Sequence, residues 1–355
     1  MLANRRLGLT VYLSNRALEL PVQDALVSQD EGKHDLVTAR LESGDIEQAR
    51  QWQGAPVIFR WGERADPRTI YGYVDTVGSE DGVLTVHVLG MTNVCRNGRP
   101  RQWLKTLPFV IAQQILEPYR LGLEMDQDIH PLDSFIQTDD SDWKALVRLA
   151  NQIGMTVISD NGVVRIVDVR KELSRASRRA LPRYRIEKSD SGAGPPAMHY
   201  TFLDTYQPVG HDRYRFSGVD RLGQTFEITG GDEGGVLRHR EVTFQSLTEA
   251  MSAGRQWEDR TRLRQQATVS GAGLSRVSAG SAVLVAEEDP SAGPWYVTAA
   301  RHMASKRGDL YKTELALQRP VGRRVAAPDR PTMVRPSPVL REGKWCLPRQ
   351  YIVET

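Results

Sequence analysis

Seven histidines could serve acid–base or metal chemistry: His34, His87, His130, His199, His211, His239 and His302. No two are four residues apart, the spacing that sets both rings on one helix face around zinc, and there is no Cys-x-x-Cys. His199 and His211 with Asp204 and Asp212 have the residue types of a loop metal site, but their scatter reads better as polar surface. Asp139, Asp140 and Asp142 are dense enough for a cation, yet they lack the EF-hand spacing with its closing Glu. Capping of a following helix explains them with less machinery. Gly271-Ala272-Gly273 resembles half a dinucleotide fingerprint, but it follows an expected helix and precedes an expected strand. That order is wrong for phosphate held at a helix N-terminus.

No Gly-x-Ser-x-Gly elbow marks a serine nucleophile. The acids between Glu31 and Glu47 could supply a glycosidase pair, but their loop-like setting reads as solvated surface. The sequence therefore assigns no catalytic residue, no cofactor-binding residue and no metal ligand, and it calls for no cofactor.

The 355 residues carry a formal net charge of +3, which excludes a strongly basic or acidic binding protein as a whole. The stretch Arg165–Lys188 is locally basic and reads as a solvated linker face, since no aromatic interleaving accompanies it. No apolar run reaches the length that crosses a bilayer. Met1–Leu20 has Arg5 and Arg6 but no uninterrupted apolar core, so it reads as a first strand rather than a secretion signal. Cys95 and Cys346, far apart, read as free thiols of a protein made in a reducing cytosol.

The elements that must position these residues are mostly short strands. Leu7–Leu13, Asp35–Glu42, Pro56–Trp61, Thr69–Val77 and Gly82–Leu89 are rich in β-branched and aromatic residues and are separated by Gly-, Ser- and Pro-containing turns. Gly72 within the fourth suggests a bulge or a close backbone approach. Trp52 and Trp61 read as core or subunit contacts. The spacing then predicts a helix over Leu107–Tyr119 with Pro108 in its first turn. A second helix is predicted over Ser141–Ile153, capped by Asp140 or Ser141, with Trp143, Leu146, Val147, Ala150 and Ile153 as its buried stripe and Gly154 as its stop. Met155–Ser159 and Val163–Val169 read as a hairpin across Asp160-Asn161-Gly162.

Arg170–Pro196 reads as a linker. Tyr200–Tyr206, Tyr214–Val219 and Gln224–Ile228 return to β-pattern, and a long helix is predicted from Ser246 to about Gln266, opened by the capping box Ser246-Leu247-Thr248-Glu249. Three strands follow within Gly273–Arg319: Ser281–Ala286, Trp295–Met303 and Leu310–Arg319. The tail from Pro320 onward is broken by six prolines and anchored by Trp345 and Tyr351. It reads as an extended arm on a neighbouring subunit or as a floppy end.

The final strands resemble the last barrel of phage tail hub proteins, the family of contractile-phage baseplate hubs, late-control D proteins and the hub half of type VI secretion spikes. The residues that carry the resemblance are Gly280, Val283, Val285, Tyr296, Val297, His302, Tyr311, Thr313, Leu315, Leu317 and Arg319. A second stretch, Asp139-Asp140-Ser141-Asp142-Trp143 followed by Leu146, Leu149, Ala150 and Gly154, resembles the middle of the same proteins. Together they cover about a quarter of the chain.

The expected fold class is α+β, mainly antiparallel β. The resemblance implies two small tube-like barrels, over residues 1–101 and 196–319. Between them lies an α+β middle domain with its linker (102–195), and a proline-rich arm follows (320–355). It also implies a non-enzymatic homotrimer whose six barrels form a pseudo-sixfold ring. Such a ring would meet the tail tube protein on one side and a central spike or tip protein on the other, beside further baseplate or distal tail proteins, around a lumen that passes DNA. The virion tail, assembled in the host cytoplasm, is the expected location. Two rival readings stand beside it: a tail-tip enzyme degrading cell wall or polysaccharide, and a carbohydrate- or receptor-binding β-module using Trp52, Trp61, Trp103 or Trp295 as exposed platforms.

Overall fold

In a computed structural model of the protein the described residues are 7–14, 16–42, 44–63, 66–80, 82–125, 131–138, 140–178, 185–186, 199–201, 213–219, 225–231, 237–244, 250–251, 254, 265–271, 274, 277–285, 293–306, 311–319, 339–341 and 343–346. They are mostly antiparallel strand with few helices, the expected α+β class.

The first part of the chain runs β1 (Gly8–Leu13), β2 (Arg16–Leu20), β3 (Val22–Asp30), β4 (Leu36–Leu41), α1 (Ile46–Arg50), β5 (Pro56–Glu63), β6 (Asp66–Glu80) and β7 (Val83–Gly90). Every second residue of β7, namely Leu84, Val86 and Val88, is buried, as a half-buried strand requires. With Val11, Val37, Ala39, Phe59, Ile70 and both Trp52 and Trp61 they form one core.

Two strands of this first part, β2 and β3, have no counterpart among the expected strands. β3 buries Val22, Ala25, Val27 and Gln29 on one face, and the polar Gln29 interrupts the apolar alternation there. The ladder runs β2-β1-β5-β6-β7-β4-β3. Its two ends are one stretch of chain broken at Pro21, which has no N–H to donate and whose carbonyl accepts from Glu42 at 2.9 Å. Gly72 is the close approach its sequence suggested: a Cβ there would lie 2.2 Å from the Leu89 carbonyl oxygen.

The middle of the chain holds β8 (Arg101–Thr106), α2 (Pro108–Leu116), β9 (Gly122–Met125), β10 (Leu132–Gln137), α3 (Asp142–Gln152), β11 (Thr156–Asp160), β12 (Val163–Val167) and α4 (Val169–Arg178). A 3-10 turn over Glu117–Tyr119, with Pro118 in it, ends α2. Of the two expected caps for α3, Ser141 serves, accepting from Lys144 N at 3.2 Å. Trp143, Leu146, Leu149 and Ala150 make its buried stripe. The β11–β12 hairpin turns on Asn161 and Gly162, both at positive φ, and β12 pairs in parallel with β9. The expected linker is corrected at its start: α4 occupies Val169–Arg178, and its Val169 and Leu173 cluster with Tyr296.

Then follow β13 (Arg185–Ile186), β14 (His199–Thr201), β15 (Arg213–Val219), β16 (Thr225–Gly231), β17 (Leu237–Phe244), β18 (Gln265–Gly271), β19 (Ala282–Val285), β20 (Gly293–Ser305) and β21 (Tyr311–Arg319). β15, β16 and β17 form a sheet of their own. Most of the expected helix from Ser246 lies outside the described residues. Its expected end is corrected, since Gln265 and Gln266 open β18.

β20 ties the molecule together. Its first half pairs with β19, from Val285↔Gly293 to Ala282↔Tyr296. A register shift falls at Thr298, whose hydroxyl donates to the Ala316 carbonyl at 3.2 Å and whose carbonyl accepts from Glu31 N at 2.9 Å. Beyond the shift the same edge pairs with β3, from Ala299↔Asp30 to Ser305↔Asp24. The strands of both ends of the chain thus belong to one 13-stranded sheet.

The last described elements are β22 (Val339–Arg341) and β23 (Lys344–Cys346), a hairpin. The described part of the arm is therefore not an extended segment. Trp345 seats it on the chain's own first sheet, at 5% exposure.

Candidate functional site

Where the β3–β4 turn meets β11, a chain of polar side chains is buried. Ser159 of β11 donates to Asp35 Oδ2 at 3.2 Å, and Gln29 of β3 reaches Asp35 Oδ1 at 3.4 Å. Thr92 lies 2.9 Å from Ser159 Oγ, and His34 Nδ1 lies 2.9 Å from Thr92 Oγ1. With the Ser159 proton on Asp35, Thr92 must donate to Ser159, so His34 must donate from Nδ1. One tautomer follows from the network.

Burial, and then the Asp160 carboxylate, push Asp35 up to about 7, against hydrogen bonds from Gln29 and Ser159 and the Arg68 charge. Burial, and then the Arg96 charge, lower His34 to about 4. Around this knot the backbone is cross-linked: Gly32 N donates to Val157 O at 2.8 Å, and Trp143 Nε1 donates to Gly32 O at 2.9 Å.

A second knot centres on Asp142, whose side chain is fully buried. Arg101 Nη2 donates to Oδ2 at 3.0 Å, Tyr119 donates to the same oxygen at 2.8 Å, and Gln137 donates to Oδ1 at 2.6 Å. Burial, and then the bond to Asp142, hold the Tyr119 phenol above its usual range. Burial, and then the Asp142 charge, push the Cys95 thiol up, which makes it an inert core group.

A third knot is Arg165. Burial alone would lower its guanidinium, but Glu124 at 3.3 Å and Glu172 at 3.7 Å hold it above its usual range. His302, on the shared part of β20, has Nδ1 2.9 Å from Thr313 Oγ1. Burial, and then the Arg68 charge, lower it to about 3, so it is a neutral core residue.

These groups are closed on one another. Asp35 and Asp142 are buried and Arg165 largely so, and each is paired with other side chains of the chain. Among the described residues no cluster of His, Cys, Asp or Glu could hold a metal ion. The expected solvated acids are corrected at Asp35, which is buried and paired, and Asp45 caps α1 by accepting from Glu47 N at 2.9 Å. The solvated reading of the basic stretch is likewise corrected at Arg165. Of the aspartate cluster, Asp142 is bound by three donors and Asp140 pairs with Arg148 at 3.0 Å, while Asp139 lies outside the described residues. Asp204, His211 and Asp212 also lie outside them, so the polar-surface reading of that group stays an expectation from sequence. Trp52, Trp61, Trp103 and Trp295 are all buried, which removes the aromatic platforms the sugar-binding reading required.

Several residues of the final-barrel pattern are brought together at the junction. Gly280 sits at φ +78, and a Cβ there would come within 2.6 Å of Ile158 Cγ1 on the middle-domain hairpin. Val283, Val297, Leu315 and Leu317 form one core with Trp295, over whose ring Arg319 lies at 4.4 Å. His34, Asp35, Thr92 and Ser159 carried no sequence signal, because their partnerships span 58 to 124 residues.

The structure is similar to that of a tail protein from Neisseria meningitidis MC58, with a TM-score of 0.64 at 14% identity over 88% of this chain and 96% of that one. It is also similar to the 43 kDa tail protein of prophage MuSo2 from Shewanella oneidensis, at TM-score 0.57 and 14% identity over 88% and 98% of the two chains. A third is the E. coli c3393 protein, a type VI secretion component described as structurally similar to the T4 bacteriophage tail proteins gp27 and gp5. That match has TM-score 0.56 and 12% identity over 89% and 78%. No family model and no curated protein matches the sequence. The fold is that of these tail and secretion proteins, over most of the chain.

Proposed function

We propose that the chain is a structural, non-enzymatic subunit of a phage or phage-like tail hub. It forms a homotrimer whose ring joins the tail tube protein to a central spike or tip protein, beside other baseplate or distal tail proteins and around a channel for DNA. The observation that carries this reading is the β3–β20 ladder: one sheet runs through both ends of the chain, so the two β-rich parts are held as a rigid pair. Three such pairs would present six similar units to a sixfold tube.

Residues 1–101 and 196–319 are the two tube-like barrels of this proposal. The return of the first ladder to a single stretch of chain at Pro21 supports closure of the first. Residues 102–195 meet the first through the Asp35 network and the second through Ile158 beside Gly280 and α4 beside Tyr296, and residues 320–355 carry the arm. The chain would be made in the host cytoplasm and reside in the virion tail. Among the described residues the buried acids Asp35 and Asp142 are tied into polar networks, which favours this reading over a tail-tip hydrolase.

Light scattering of purified protein, with negative-stain images of the same sample, tests it. Three times the chain mass and a ring with a central hole are expected. A monomer that also fails to bind purified tube protein would overturn the reading.

A further inference from the structure

The outer face of the first sheet carries an aromatic patch that a tube wall does not need. Tyr12 of β1, Ile58 of β5 and Tyr71 and Tyr73 of β6 lie there, on the opposite face from Val57, Phe59, Ile70 and Val74. Trp345 covers them. Its indole N–H donates to two carbonyls, Gly72 O at 2.9 Å and Val57 O at 3.1 Å, and its backbone N–H donates to the Tyr73 hydroxyl at 2.7 Å. The rings of Tyr71 and Tyr12 meet it edge-on at 4.8 and 5.9 Å. A tryptophan whose apolar body is enclosed and whose one donor is satisfied has the character of a binding anchor.

Two facts separate the anchor from its own chain. The β22–β23 hairpin pairs only with itself, forming an independent two-stranded sheet. Residues 320–338, a tether of 19 residues, join it to β21. Fully extended, such a tether spans roughly 60 Å. Every contact made within one chain can therefore be made identically between two chains. Closed and exchanged forms then make the same contacts, and which one is populated depends on how near a second copy is held.

We propose that the Tyr12–Ile58–Tyr71–Tyr73 face is a tryptophan socket through which copies of this chain bind one another by exchanging C-terminal hairpins. The occupant is the 339–346 segment of a second copy. The inference does not rest on the tail-hub reading.

Complementation between two full-length variants tests it. Trp345→Ala leaves a vacant socket, and Tyr71→Glu blocks the socket with a charge while leaving the hairpin intact. Tyr71 is only partly buried, so the substitution is compatible with folding, which circular dichroism checks. One variant carries an affinity tag, and co-capture of the other is measured over a concentration series. The expected result is capture at least tenfold stronger than for the control pair, Trp345→Ala with the double variant Tyr71→Glu/Trp345→Ala. The control pair reports any trimerisation through other surfaces, so failure of the hub reading and failure of hairpin exchange give different results. Equal capture in the two mixtures, with all variants folded, overturns the proposal. A labelled 336–348 peptide gives the second measurement: saturable binding to the Trp345→Ala chain, lost with a Trp345→Ala peptide, is expected. No binding overturns the socket itself.

Discussion

Ser159 donates a hydrogen bond to Asp35 across 124 residues of sequence, joining the first sheet to the β11–β12 hairpin at 3.2 Å. Asp35 is raised from 3.8 to about 7 in the fold, so between those values the folded state holds a proton that the unfolded chain has released. The contribution of Asp35 to stability is therefore most favourable at acid pH and declines as pH rises from about 4 to 7. Asp35→Asn removes that dependence. Relative to the parent protein, it should gain stability between pH 4 and pH 8 by up to roughly 4 kcal/mol, the worth of about three pKa units. Urea midpoints of both proteins at pH 4, 6 and 8 check this, and a constant loss from altered hydrogen bonds cancels in the comparison. A difference independent of pH would refute it.

Asp142→Ala leaves Arg101 and Gln137 without their shared acceptor in a buried site. Breaking a buried pair on one side costs about 3–5 kcal/mol. The expected result is a large drop in the urea midpoint, with recovery of part of it in Asp142→Asn, which keeps an oxygen for Gln137.

Gly280→Ala meets two obstacles, a positive φ and Ile158 Cγ1 at 2.6 Å. A loss of about 1–3 kcal/mol is expected. In a double-mutant cycle Ile158→Ala should relieve the contact part and leave the backbone part, giving a non-zero coupling energy. Strict additivity would show that the two do not meet.

Lys306 and Glu42 form an ion pair at 3.3 Å between two exposed side chains. Lys306→Ala should change stability by no more than about 0.5 kcal/mol, and less in 0.5 M salt. The seven-pair β3–β20 ladder beside it holds the strands without that pair. A loss of several kcal/mol would place the junction's strength in side chains instead.

Much of the local structure was legible, because periodicity and caps are local. Ser141, Gly154 and the Asn161-Gly162 turn fell where the sequence put them. The final three strands did too, since Leu315 and Leu317 alternate cleanly with polar neighbours. β3 was missed because Gln29 faces inward to hold Asp35, and a polar residue on the buried face interrupts the apolar alternation. α4 was hidden by its charge: Glu172 is there to meet Arg165, so a basic stretch that looked solvated folds against an acid. Trp345 was singled out as an anchor, but its seat was not, because Tyr71 and Tyr73 serve an outer face that a small sheet normally leaves polar.

The change of partner along β20 bears on mechanical load. Tension drawn along β20 against β3 stresses seven residue pairs at once, in shear. Ladders loaded in that direction yield together, whereas a hairpin pulled from its open end peels bond by bond. The joint between the two β-rich parts is thus oriented to resist a pull along the strands, whereas a force that opens the sheet would part its pairs in turn.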